Sequence, residues 1–175
     1  MAAGSTIYKV QMNLSDLDRN HYETYDLTLA QHPSETDERL MMRVAAFALN
    51  ASERLVITPG IGSDDEPDLW EKDYGGDVTL WIDLGQVDEK RLRKACGRSE
   101  RVIVYTYNQK AASAWWRQNG GTFARFKNLD LIHLNAEGIE GLCRRSMKLQ
   151  CMISDAELSI HSEDGDVVVQ PVRWE

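Results

Sequence analysis

The chain has 175 residues, 42% of them hydrophobic and 27% charged, and a formal net charge of −8. That is one domain's worth of chain, enough to bury a core without disulfide or metal staples. The acidity argues against a general polyanion binder, because phosphate neutralisation supplies most non-specific affinity, and no apolar run approaches the roughly 18 residues of a membrane span.

The start, MAAGSTIYKVQMN, has neither a charged lead nor an apolar core, so no secretory signal is expected. Cys96, Cys143 and Cys151 are odd in number and widely spaced, a poor disulfide framework. They fit a reducing compartment, the cytoplasm. The charge is uneven: residues 1–89 carry 6 basic and 18 acidic side chains, residues 90–175 carry 14 and 10.

In chain order, Thr6 to Leu14 and Tyr22 to Leu29 are rich in strand formers and flank the polar stretch LSDLDRN. They predict an opening antiparallel hairpin. PSETDERLMMRVAAFALNASE follows. Ser34 with Asp37 resembles a capping box, and Leu40, Val44, Phe47, Ala48 and Ala51 recur at helical spacing. Met41, Met42, Ala45 and Leu49 widen the apolar face, which predicts a well-buried helix. Leu55 to Thr58 is a short strand, and PGIGSDDEP is a loop. A second short strand begins at Asp68-Leu69-Trp70, and Gly75-Gly76 marks a turn. In Val78 to Leu84, the residues Val78, Leu80, Ile82 and Leu84 share one face; Thr79, Trp81 and Asp83 share the other.

Asp88 to Cys96 is predicted helical, with Asp88 as N-cap and Gly97 as stop. Val102 to Tyr107 is a strand. Lys110 to Asn119 is a helix closed by Gly120-Gly121, Leu129 to Leu134 a strand, and Ala136 to Arg145 a short helix. Met147 to Ser154, Glu157 to Ser162 and Asp166 to Val172 close the chain as antiparallel strands. The expected fold class is α/β, with a mixed sheet flanked by helices in one domain spanning 1–175.

Chemistry concentrates in residues 65–94, DEPDLWEKDYGGDVTLWIDLGQVDEKRLRK. Asp68 and Asp83 lie on adjacent predicted strands joined through the glycine turn. Two carboxylates within reach of each other suit Mg²⁺ or Mn²⁺, hard ions that bind through one or two carboxylates plus water and phosphate. Such an ion orients a water and stabilises charge on a phosphodiester. The bland alternatives are a turn cap for Asp68, surface positions for Gln86 and Lys90, and a first-turn carboxylate for Glu38. KRLRKACGRSER carries Lys90, Arg91, Arg93, Lys94, Arg98 and Arg101, either a solvated helix face or a phosphate-contacting ridge for nucleic acid. There is no GxSxG elbow, P-loop or GxGxxG.

A helix, then Pro67-Asp68, then the strand acid Asp83 resembles the ordering of the PD-(D/E)xK nuclease superfamily. HPSETDERLMMRVAAFALNASERL, DDEPDLW, LWIDLGQ and DEKRLRKACGR, with IYKVQMN and RSMKLQCMIS, resemble the YaeQ family of bacterial proteins over nearly the whole chain. The resemblance implies a variant of the nuclease core with added antiparallel strands at both ends. It matches Asp68 and Asp83 to the motif's two acids, candidates for catalysis and metal binding. Gly85 stands where the motif has lysine. Gln86 and Lys90 are candidates to replace that lysine, and Glu38 is a candidate third acid. The resemblance supports two functions: a Mg²⁺- or Mn²⁺-dependent nuclease acting on phosphodiesters, and a catalytically inactive nuclease-fold protein with a binding or regulatory role.

Overall fold

The computed structural model describes residues 4–59 and 65–175; part of the 59–67 loop therefore lies outside the described residues. The strands are β1 (Thr6–Asp16), β2 (His21–Gln31), β3 (Leu55–Ile57), β4 (Leu69–Lys72), β5 (Val78–Leu84), β6 (Ser99–Thr106), β7 (Leu129–Asn135), β8 (Ser146–Ser154), β9 (Glu157–Ser162) and β10 (Gly165–Arg173). The helices are α1 (Asp37–Asn50), α2 (Glu89–Arg98) and α3 (Gln109–Phe123). Among the described residues the strands form one mixed sheet in the order β2-β1-β8-β9-β10-β7-β6-β5-β4-β3.

β5, β6 and β7 run parallel, and their crossovers are α2 and α3. β10 joins the two halves: Gly165–Val169 pairs with β9, and Gln170–Arg173 pairs with β7. The opening hairpin and the closing antiparallel strands match the alternation in the sequence, and β1 also pairs in parallel with β8.

α1 touches β9, β5 and β3. β9 and β3 are six strand spacings apart, about 29 Å in a flat sheet, whereas a helix with its side chains is about 10–12 Å across. The sheet therefore curls around α1. That explains why Leu40 to Ala48 are buried without interruption, a helix apolar on nearly every side. The other two helices pack on the outer face, where Trp81, Leu92, Val102, Val104, Trp115 and Phe123 form a second core.

Arg43 is the one charge on the buried turns of α1, and it is 0% exposed. Its Nη2 donates to Glu35 Oε1 at 2.7 Å and to the Ala30 carbonyl at 2.8 Å, and its Nε donates to Glu35 Oε2 at 3.1 Å. Glu35 also accepts from Arg39 at 2.8 Å. At the far end, Arg19 Nη1 donates to the Ala51 carbonyl at 2.9 Å, a cation at the helix terminus that favours one.

Four local expectations differ from the structure. Thr36, not Ser34, caps α1 by accepting from the Arg39 N–H at 3.1 Å; the chain turns at His32–Ser34 before the helix starts. Val78 lies in the outer core with Trp81, because the register of β4 on β5 shifts between Glu71 and Lys72. α2 runs through Gly97, and α3 through Gly120 and Gly121. At Gly120 a Cβ would lie 2.9 Å from the Trp116 ring, so that glycine serves close packing within the helix rather than its end. The predicted helix over 136–145 is a single 3₁₀ turn, Ile139–Leu142.

The C-terminus is tied down over the outer face. Trp174 Nε1 donates to Thr106 Oγ1 at 3.0 Å, and Thr106 Oγ1 lies 2.9 Å from His133 Nδ1. Indole nitrogen only donates, so the threonine oxygen accepts there. Burial lowers the His133 pKa below its ordinary 6.5, against a smaller raising effect of a hydrogen bond to Asn135.

Two outcomes follow. Glu35→Ala leaves Arg43 buried without its carboxylate and should cost about 3–5 kcal/mol, against about 1 kcal/mol for Thr36→Ala, both read from urea unfolding. The unfolded chain binds a proton at His133 more readily than the folded one. The His133 contribution to stability is therefore complete above about pH 6.5 and lost as pH falls below it. His133→Gln should flatten that part of the stability–pH curve.

Candidate functional site

Ligands of open α/β sheets bind outside the carboxyl ends of the parallel strands. Here that edge is formed by Leu84-Gly85-Gln86 after β5 and Tyr107-Asn108 after β6, with the N-terminus of α1 beside them. Pro67-Asp68 enters the same edge from β4, through the Asp68 N–H donating to the Ile82 carbonyl at 3.1 Å.

Asp68 is 6% exposed. Arg39 Nη2 donates to both its oxygens, at 2.8 and 2.9 Å, and the Leu84 N–H donates to Oδ2 at 2.9 Å. Burial acts against the Arg39 charge, but Asp68 and Glu35 outweigh it and hold the guanidinium protonated. Asp83 is 2% exposed and belongs to the outer face. Arg91 of α2 donates to it from Nε at 2.9 Å and from Nη2 at 3.0 Å, and Trp81 Nε1 donates at 3.0 Å. All four carboxylate oxygens thus accept hydrogen bonds from protein N–H groups. The two acids are held by different helices, Asp68 by α1 and Asp83 by α2. Among the described residues no group of three or more His, Cys, Asp or Glu side chains is arranged to hold a metal ion.

Gly85 adopts φ +100 with open space around it. Backbone conformation, not crowding, favours glycine at this position, and a lysine here would be strained. Gln86 and Lys90 are both exposed. Glu38 is half-buried in the first turn of α1; burial, and then the nearby Glu140, raise its pKa above the usual carboxylate value. Tyr107 has its pKa raised by burial and senses Arg39, Glu38, Asp68 and Glu35. The structure therefore groups Asp68 and Glu38 around Arg39 and Tyr107, and sets Asp83 apart with Arg91. Sequence reasoning missed Arg39, Glu35 and Tyr107. The i, i+4 spacing of Glu35 and Arg39 was a signal for the first two.

The basic residues of α2 are largely engaged with acids. Arg93 pairs with Glu89, Lys94 pairs with Asp65 at 2.9 Å, and Arg98 donates to the Asp65 carbonyl at 3.2 Å. Lys90, among the five α2 cations singled out in the sequence, makes no ion pair among the described residues.

A family model described as YaeQ protein matches residues 1–171. The chain belongs to the YaeQ family. It is 40% identical to the uncharacterized protein YaeQ of Escherichia coli (strain K12), over 100% of this chain and 98% of that one. Against the Salmonella typhi YaeQ the identity is 39%, with the same coverage. The crystal structure of YaeQ from Xanthomonas axonopodis pv. citri superposes with a TM-score of 0.93 at 44% identity, covering 98% of both chains. YaeQ from Pseudomonas syringae gives 0.92 at 33% identity, covering 99% of this chain and 97% of that one. The mixed-sheet YaeQ fold is thus shared along the whole length. No described helix is long and apolar enough to cross a membrane.

The acid–arginine geometry gives a graded expectation for thermal and urea unfolding. Asp68→Ala should cost about 3 kcal/mol by leaving Arg39 and the Leu84 N–H without an acceptor, and Asp83→Asn about 2 kcal/mol. Glu38→Gln should leave stability unchanged or slightly higher, because the folded environment disfavours that carboxylate's charge.

Proposed function

We propose that the chain is a binding protein built on a variant of the PD-(D/E)xK nuclease core. It binds a phosphate-bearing polymer, a nucleic-acid strand, along the carboxyl edge of β5–β7 and the adjoining α2, without metal-assisted cleavage. One observation carries the reading: every oxygen of Asp68 and Asp83 is engaged by a protein N–H donor. A Mg²⁺ or Mn²⁺ ion on this pair would have to displace two arginines held on opposite faces of the sheet. Gln86 and Lys90 are exposed beside this edge and suit phosphate contact. Arg91, Arg93, Lys94 and Arg98 add local positive potential, reduced by their acidic partners. The free thiols Cys96, Cys143 and Cys151 support a reducing location, the cytoplasm.

The second reading is metal-dependent phosphodiester hydrolysis at Asp68 and Asp83, with Glu38 as third acid and Gln86 or Lys90 in place of the motif lysine. What favours it is Glu38: it makes no ion pair with an arginine among the described residues, and it and Asp68 both act electrostatically on Tyr107.

Calorimetry with Mn²⁺ on the native protein and on Asp83→Asn, paired with a labelled oligonucleotide incubated in Mg²⁺ or Mn²⁺, separates the two. The expected result is no metal heat from either protein and an oligonucleotide bound but recovered intact, with Lys90→Glu weakening the binding. Cleavage that vanishes in Asp68→Asn would establish the hydrolase instead.

A further inference from the structure

A cross-strand row runs over the outer face of the sheet: Val56, Trp70, Trp81, Val102 and Leu129 are register partners in succession. The helices cover one end of it. Val102 is 0% and Trp81 1% exposed, whereas Trp70 is only half-buried and Val56 is 52% exposed. β3 and β4 thus form a ledge beyond α2. Physical chemistry gives a reason to expect trouble there, since an uncovered edge with apolar side chains invites association.

The ledge is not simply apolar. Lys72 Nζ lies 3.9 Å from the centroid of the Trp70 ring, and the Arg54 guanidinium lies 3.4 Å from that of Tyr74. Tyr74 stands at the β4–β5 turn and is 94% exposed. These residues line a groove of about 270 Å³. Two acids also line it, Glu53 and Asp73. Asp73 is turned inward to accept from the Gly75 and Asp77 N–H groups at 2.9 Å each, which leaves Glu53 as the acid open to the groove. The ledge is continuous with α2: Trp70 meets Trp81 edge-on at 6.1 Å, and the Arg98 guanidinium lies 5.5 Å from the centroid of Trp81.

Alternating aromatic faces and cations are what a single nucleic-acid strand requires. Unstacked bases lie on ring faces, here the face of Tyr74 opposite Arg54, and the cations lying over the rings pair with phosphates. A duplex hides its base faces and cannot use an exposed tyrosine in this way. We infer that the β3–β4 ledge, through Tyr74, Trp70, Arg54 and Lys72, is a stacking platform for single-stranded nucleic acid. It extends the α2 surface toward the sheet edge and rests on the nucleic-acid-binding reading above.

Fluorescence anisotropy with a labelled oligothymidylate of about 15 nucleotides and a duplex of the same length tests it, over a range of salt. The single strand should bind more tightly than the duplex. Tyr74→Ala, at a side chain too exposed to affect folding, should weaken single-strand binding about tenfold and leave duplex binding unchanged. Lys72→Ala and Arg54→Ala should each lower the log–log salt slope by about 0.7. If the single strand binds but Tyr74→Ala and the salt slopes do not respond while Lys90→Glu does, the ledge is overturned and the nucleic-acid reading stands. If neither oligonucleotide binds the native protein, that reading fails and the platform fails with it.

Discussion

Everything in this fold is arranged around the burial of α1. Nine consecutive residues of the helix are inaccessible to solvent, which no flat sheet packed on one side achieves. The ten described strands supply the width to wrap the helix, and β10 supplies the joint by pairing with β9 along its first half and β7 along its second. A helix enclosed in this way must satisfy its polar groups internally. Thr36 caps one end, Arg19 reaches the Ala51 carbonyl at the other, and the Arg43–Glu35 pair ties the middle to β2 and the chain before α1. A buried ion pair adds little net stability over apolar packing, but it is costly to break. Its value here is positional, since Glu35 also receives Arg39 and so orients the guanidinium that grips Asp68.

The candidate site inherits its geometry from that arrangement. Arg39 projects from the first turns of α1 toward the carboxyl edge of the parallel strands, and Asp68 answers it from the start of β4. On the other face, Arg91 projects from α2 to Asp83, with the Trp81 indole completing the set. The same two arginines that fix the helices against the sheet consume the ligand positions of the two acids. Gly85 fits the same picture: β5 must turn with a positive φ to reach α2, a conformation that costs a lysine more than a glycine. The glycine at position 85 and the hold of Arg91 on Asp83 are thus both consequences of how β5 is joined to α2, whereas Asp68 is held from α1.

Side-chain periodicity made most of the elements legible. The opening hairpin, α1, β5, β6, β7 and the three closing strands all stand where alternation or helical spacing put them. The errors fell where a local signal had a tertiary cause. Gly120 resembles a helix stop, yet it is a glycine because Trp116 packs on it. Val78 alternates correctly with Leu80, yet a register shift moves it to the other core. For the site, the sequence picked out Asp68 and Asp83, and it supplied the neighbours Lys90 and Arg91 without indicating that Arg91 binds Asp83.

By itself, the sequence determined the fold class, the family, and which residue types are available at the carboxyl edge, because these depend on local pattern and on similarity along the whole chain. Only the tertiary structure decided that the two aspartates are held from opposite faces of the sheet. It also decided that arginines from two different helices occupy them, and that Trp70, Lys72, Tyr74 and Arg54 assemble on one ledge. Those pairings join residues up to 29 positions apart, as in Arg39 and Asp68. They are set by how α1, α2 and the β3–β4 hairpin pack on the sheet, which no local window contains.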